Sequence, residues 1–183
     1  EREPLATPSQ EAAAGFRQEF IARARAVDLL VLGAVPAVLV AIFALPEATR
    51  LSFAFAYTDP TAVTAFTAHY VHLGTGHLAG NLAGYGLLAS VGYALAVLGG
   101  RRRFFLTSMA TFLLAFPFVL SALNLAVPRN AVGFGFSGIN MAFAGVLPLL
   151  LWAYARDRFF PTASLRALPA VFFLLVGWIA LLA

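Results

Sequence analysis

Long apolar blocks alternate with short breaks that carry arginine, proline or glycine. Five blocks stand out, 29–45, 77–98, 104–127, 137–154 and 167–183, each 17 to 24 residues long. An α-helix rises about 1.5 Å per residue, so blocks of this length suit a hydrocarbon core of about 30 Å. The pattern predicts an all-α, polytopic helical membrane protein with five visible spans. Residues 1–26 form a polar amino-terminal tail, and 27–183 form a single membrane domain. Within the tail, 11–27 reads either as an amphipathic helix on the membrane surface or as an unstructured leader. The connection 47–76 is too polar to span, with Glu47, Arg50 and the Asp59-Pro60 pair. Pro36 is tolerable inside the first span, because neighbouring helices can satisfy the carbonyl it frees. Pro46 closes that span and Pro117 predicts a kink in the third. Arg156, Asp157, Arg158 and Pro161 are expected to break the chain after the fourth.

Composition supports this class. Of 183 residues, 61% are hydrophobic and 11% charged, whereas soluble domains carry about 25% charged residues. There is no cysteine, so disulfides, thiolate nucleophiles and cysteine metal sites are excluded. The first apolar block is too long for the core of a cleavable signal. Every basic residue is arginine, and the pI is about 10.1. Arg2, Arg17, Arg23, Arg25, Arg101, Arg102, Arg103, Arg156, Arg158 and Arg166 all fall on one side of the membrane, with only Arg50 and Arg129 on the other. That split assigns the amino terminus to the cytoplasm and gives the arginines a topological role rather than a nucleic-acid surface. Arginine without lysine, with abundant alanine, points to a GC-rich prokaryotic genome and hence a prokaryotic cell membrane.

The second and fourth spans then both enter from outside, which brings His77, Asn81 and Ser137 to the same depth. His77 and Asn81 are four apart and share a helix face. They can serve as interhelical hydrogen-bonding groups or converge on a ligand. Ser137 opens the fourth span within Gly135-Phe136-Ser137-Gly138. There, free backbone N–H groups and the helix dipole favour negative charge. A serine so placed can attack a carbonyl while N–H groups hold the oxyanion. Small residues at Gly138, Ala142 and Gly145 equally suit close helix packing. His69, His72 and His77 are not spaced to share one helical face, and no metal site is expected.

Taken together, His72, His77 and Asn81 followed by a later span opening Gly-Phe-Ser-Gly resemble the rhomboid family of intramembrane serine proteases. The resemblance covers about 67–145, and the order of spans fits the rest. It implies a six-span fold in which Ser137 is the nucleophile, His77 and Asn81 line the oxyanion hole, and Gly135 and Phe136 border it. His72 and Gly138 would be supporting residues. The substrates implied are transmembrane segments of other membrane proteins, met within the lipid bilayer, with no metal or cofactor. Rhomboids take the serine's proton with a histidine on the sixth span. All three histidines here precede Ser137, so the expectation is five spans of a longer chain, with the base supplied beyond it. The family's tryptophan–arginine pair in the first external loop is represented only by Arg50. The alternatives are a rhomboid-like pseudoprotease that binds spans without cleaving them, and a transporter, which would call for inverted repeats or mid-span charges. Only Asp28 lies near a span, and no repeat is visible.

Overall fold

The computed structural model describes residues 8–127 and 130–162, together with 169, 170 and 173. Apart from those last three, the fifth block, 167–183, lies outside the described residues, as do Arg129 and Arg166. Among the described residues there are eight α-helices: α1 Pro8–Arg23, α2 Ala26–Phe43, α3 Glu47–Ser52, α4 Ala62–Thr67, α5 Thr75–Leu98, α6 Arg102–Leu114, α7 Phe116–Leu125 and α8 Ser137–Phe159. A single 3₁₀ turn, Ala68–Tyr70, follows α4, and two short strands, β1 Phe55–Ala56 and β2 Val132–Gly133, pair antiparallel. Helices α2, α5 and α8 are long and apolar enough to cross a membrane, and α6 with α7 makes a fourth if the bent pair is one span.

Two prolines shape the bundle. Pro117 cannot donate to the carbonyl four residues earlier, and its ring crowds that carbonyl. The span accordingly breaks between α6 and α7 with a 45° bend. The orphaned carbonyl of Leu113 accepts the hydroxyl of Tyr70. Pro36 sits inside α2 without ending it, and the carbonyl it leaves unpartnered, that of Leu32, accepts from Tyr85 Oη at 3.1 Å. The freed carbonyls are thus satisfied from the first loop and from α5.

Helices α5 and α8 form the most extensive contact and run in parallel, both starting at the same end. Glycine allows the approach at Gly84, where a Cβ would lie 3.1 Å from Asn140 Nδ2 of α8, while Gly92 makes room for α6, a Cβ there lying 2.9 Å from the Phe105 ring. Tyr85, Tyr93, Phe105, Phe136 and Phe143 fill the core between the helices. At the other end, α1 is neither a free tail nor a helix lying clear of the bundle. Phe20 meets Tyr93 edge-on at 6.1 Å, and Arg23 Nη1 donates to the last carbonyl of α5, Leu98, at 2.8 Å. Helix α8 continues through Arg156, Asp157 and Arg158 and ends at Phe159, ahead of Pro161, so the charged residues do not break it.

Candidate active site

The connection between α2 and α5 is held by a buried cation. Arg50 donates from Nε to Leu45 O at 3.1 Å and from Nη1 to His72 O at 2.5 Å, with its guanidinium 4.5 Å from the Phe43 ring centroid. This fixes His72 just ahead of α5. Thr75 begins the helix, so His77 lies in its first turn, exposed, and Asn81 one turn deeper, buried. The opposing wall is the turn after β2. Gly135 has φ +113°, and its N–H donates to Ala68 O at 2.9 Å. A Cβ there would stand 2.5 Å from His77 Cε1, so conformation and proximity both require glycine. Phe136 is fully buried between the rings of Tyr70 and Tyr85, each 5.8 Å away. That anchor sets the start of α8, where Ser137 emerges exposed, its hydroxyl without a hydrogen bond to any described residue.

Behind Ser137 lies a closed polar network. Asn81 Nδ2 is 3.0 Å from His72 Nε2 and 3.1 Å from His77 O. The carbonyl can only accept, so Nδ2 is the donating end of this amide. The Phe136 N–H also reaches His72 Nε2, at 3.4 Å. Two donors on one ring nitrogen make it a lone pair and leave the His72 proton on Nδ1. Asn140 Nδ2 completes the chain, donating to Asn81 O at 3.0 Å and to Asn81 Oδ1 at 3.2 Å. Burial, with the nearby His77, pushes the His72 pKa down to about 4, which keeps the ring neutral as its two donors require.

A cavity of about 270 Å³ opens in front of Ser137, lined on its far side by Tyr57, His69, Ser121 and Asn124. Ser121 donates to Ala65 O at 2.8 Å, which leaves His69 Nε2–H to donate to Ser121 Oγ at 3.0 Å. Burial lowers the His69 pKa. The polar lining and the volume suit several water molecules.

The structure therefore brings His72, His77, Asn81, Gly135, Phe136 and Ser137 to one corner, from α5, the loop before it and the turn into α8. Gly138 lines the same cavity and packs against Leu120, where a Cβ would lie 2.7 Å from Cδ1. One expectation is altered. Asn81 is 5% exposed, and its two amide hydrogens are given to His72 and His77 O, so it is not a free oxyanion donor here. Asn140, His69 and Ser121 have structural roles that the sequence reading did not give them. A polar residue three positions after Ser137 in an apolar helix was the available signal for Asn140. Comparison with family models, with curated proteins and with solved structures finds no match for this chain.

Proposed function

We propose that this chain is the core of a rhomboid-type intramembrane serine protease. It would be an integral membrane protein with a cytoplasmic amino terminus, and it would cleave peptide bonds in or near transmembrane segments of other membrane proteins. The observation that carries the reading is the pairing of an exposed Ser137 at a helix start with His77 packed against Gly135. Ser137 Oγ attacks the scissile carbonyl carbon and forms a tetrahedral oxyanion. The His77 ring and the unpaired N–H of the first turn of α8 stabilise that charge. Collapse releases the amine half with the proton taken from Ser137, leaving an acyl-serine. Water from the polar cavity beside His69 and Ser121 then attacks the acyl carbon and frees the carboxylate half. The proton acceptor for Ser137 is assigned to a group outside the described residues. His72 is an acceptor already saturated by two donors, and His69 is turned to Ser121. Gly135 and Phe136 shape the oxyanion side, and His72 with Asn81 holds it in place.

The test uses a fluorophosphonate probe and a model transmembrane substrate on the protein extended through the span expected to carry the base, in proteoliposomes. Labelling at Ser137 that disappears in Ser137→Ala, together with cleavage lost in the same variant, supports the protease. Binding of the substrate with neither labelling nor cleavage supports the pseudoprotease instead.

A further inference from the structure

The end of the bundle opposite Ser137 carries more guanidinium than its carboxylates can neutralise. It gathers α1, the starts of α2 and α6, and the ends of α5 and α8. Every carboxylate whose side chain is described there is taken. Glu19 lies 3.0 Å from Arg23 and 3.4 Å from Arg158; Asp157 lies 2.6 Å from Arg101 and 2.9 Å from Arg156. Asp28 is held by Arg102 through two bonds of 2.5 Å and by Tyr93 Oη at 2.7 Å. Arg25 and Arg103 are exposed and have no carboxylate in ion-pair range among the described residues. Arg25 is an electrostatic neighbour of Asp28, and Arg103 adjoins Arg102 in the first turn of α6. Asp28 thus stands between the guanidinium groups of Arg102 and Arg25 and is already spent on the first, while Arg103 follows Arg102 in the same turn with no carboxylate of its own among the described residues.

Depth supplies the second observation. On α2 the exposed apolar surface begins at Val27, Leu29 and Leu30, and on α6 it begins at Phe104. Arg25 and Arg103 stand one or two residues outside those lipid-facing positions. In a bilayer that is headgroup level, where a guanidinium meets phosphodiester oxygens and pairs with them in fork geometry.

We propose that Arg25 and Arg103 form a binding site for the phosphate of an anionic phospholipid, beside the closed Asp28–Arg102 pair. The inference rests on the chain being membrane-spanning and is independent of the protease reading. The test begins by reconstituting the full chain separately into phosphatidylcholine and phosphatidylglycerol vesicles, followed by flotation after alkaline extraction. Recovery with both lipids establishes the spanning state. Native mass spectrometry from detergent, titrated with short-chain phosphatidylglycerol or phosphatidylcholine, then reads the site. Phosphatidylglycerol should bind more tightly. At about fivefold per arginine, the Arg25→Gln/Arg103→Gln variant should lose about thirtyfold of that affinity, leaving phosphatidylcholine unchanged. Arg25→Lys/Arg103→Lys should keep most of the preference. If the glutamine variant does not fold, the native protein still decides: raising salt from 50 to 500 mM should weaken phosphatidylglycerol selectively. Flotation with both lipids but equal affinity for them overturns the site and leaves the spanning reading standing. So does inorganic phosphate competing as well as the lipid. Failure to float overturns the spanning reading itself.

Discussion

The side-chain amide of Asn81 donates to Nε2 of His72 at 3.0 Å, across nine residues of chain and the start of α5. That bond joins the loop held by Arg50 to the helix that carries His77, and Asn140 ties the same amide to α8. Asn81→Leu would leave the His72 lone pair only the long bond from Phe136 N–H, at 3.4 Å, and leave Asn140 Nδ2 only the backbone carbonyl of residue 81. Each buried hydrogen bond lost costs about 0.5–1.5 kcal/mol. The expected outcome is a clear fall in melting temperature in detergent. In a double-mutant cycle with His72→Phe, the two losses should be less than additive by about 0.5–3 kcal/mol. Strict additivity would mean that the bond does not couple the two elements.

Stability should fall on acidification, and His72 sets the window. Its folded pKa is lowered to about 4 from 6.5. Between those values the unfolded chain binds a proton that the folded one refuses, so stability rises with pH through this range and is level above it. The full difference corresponds to at most about 3 kcal/mol, with His69 acting in the same direction. A melting curve in detergent should therefore drop between pH 6.5 and 4 and stay flat from 7 to 8. His72→Phe should flatten the acid limb. An acid limb of equal slope in that variant would assign the effect elsewhere.

Gly135 offers a test that separates site from fold. Its φ of +113° and the 2.5 Å gap from a built Cβ to His77 Cε1 exclude alanine unless His77 moves. Gly135→Ala should reduce fluorophosphonate labelling of Ser137 by about a hundredfold, the scale of a lost oxyanion donor. Ser137→Ala, at an exposed position without a side-chain hydrogen bond, should leave the melting temperature unchanged. Full labelling of Gly135→Ala would remove His77 from the oxyanion side.

The arginine split gives a labelling pattern. With no native cysteine, single cysteines at Thr75 and Thr162 report opposite ends of the bundle. An impermeant maleimide added to whole cells should label Thr75→Cys and spare Thr162→Cys. The reverse pattern would invert the orientation.

Three of the five expected spans, and a fourth if α6 and α7 are one, were legible because apolar length governs whether a helix can cross a bilayer. Helix ends were less so. Charge at Arg156 to Arg158 ends the apolar stretch but not the hydrogen-bond ladder, and α8 stops only ahead of Pro161. The open choice over residues 11–27 resolved into a packed helix because Phe20 and Arg23 find partners on α5, contacts that no local pattern encodes. At the site, the positions of His77 and Ser137 followed from spacing and span order. The commitment of Asn81 to His72 did not, since helical spacing places a side chain on a face without saying which neighbour claims its hydrogens. Arg50 shows the same limit: an isolated arginine in the first loop becomes intelligible only when its bonds to Leu45 O and His72 O are seen.

The two tyrosine–proline pairs carry the last prediction. Pro36 frees the Leu32 carbonyl and Tyr85 Oη donates to it at 3.1 Å; Pro117 frees the Leu113 carbonyl and Tyr70 donates to that. A carbonyl within an apolar helix has no water to turn to, so each hydroxyl substitutes for a missing backbone N–H. Tyr85→Phe should cost about 1–2 kcal/mol by stranding the Leu32 carbonyl, although the ring and its contacts with Phe136 and Phe143 are kept. Pro36→Ala restores the backbone donor at that carbonyl. In the Pro36→Ala background, Tyr85→Phe should therefore cost much less, because the carbonyl no longer depends on the hydroxyl. The same logic holds for Tyr70→Phe with and without Pro117→Ala, the second change also straightening the bend between α6 and α7. Melting temperatures of the four proteins in each cycle measure the coupling. If Tyr85→Phe costs as much with alanine at position 36 as with proline, the hydroxyl is not serving the proline-freed carbonyl. The tolerance of Pro36 in mid-span would then need another source.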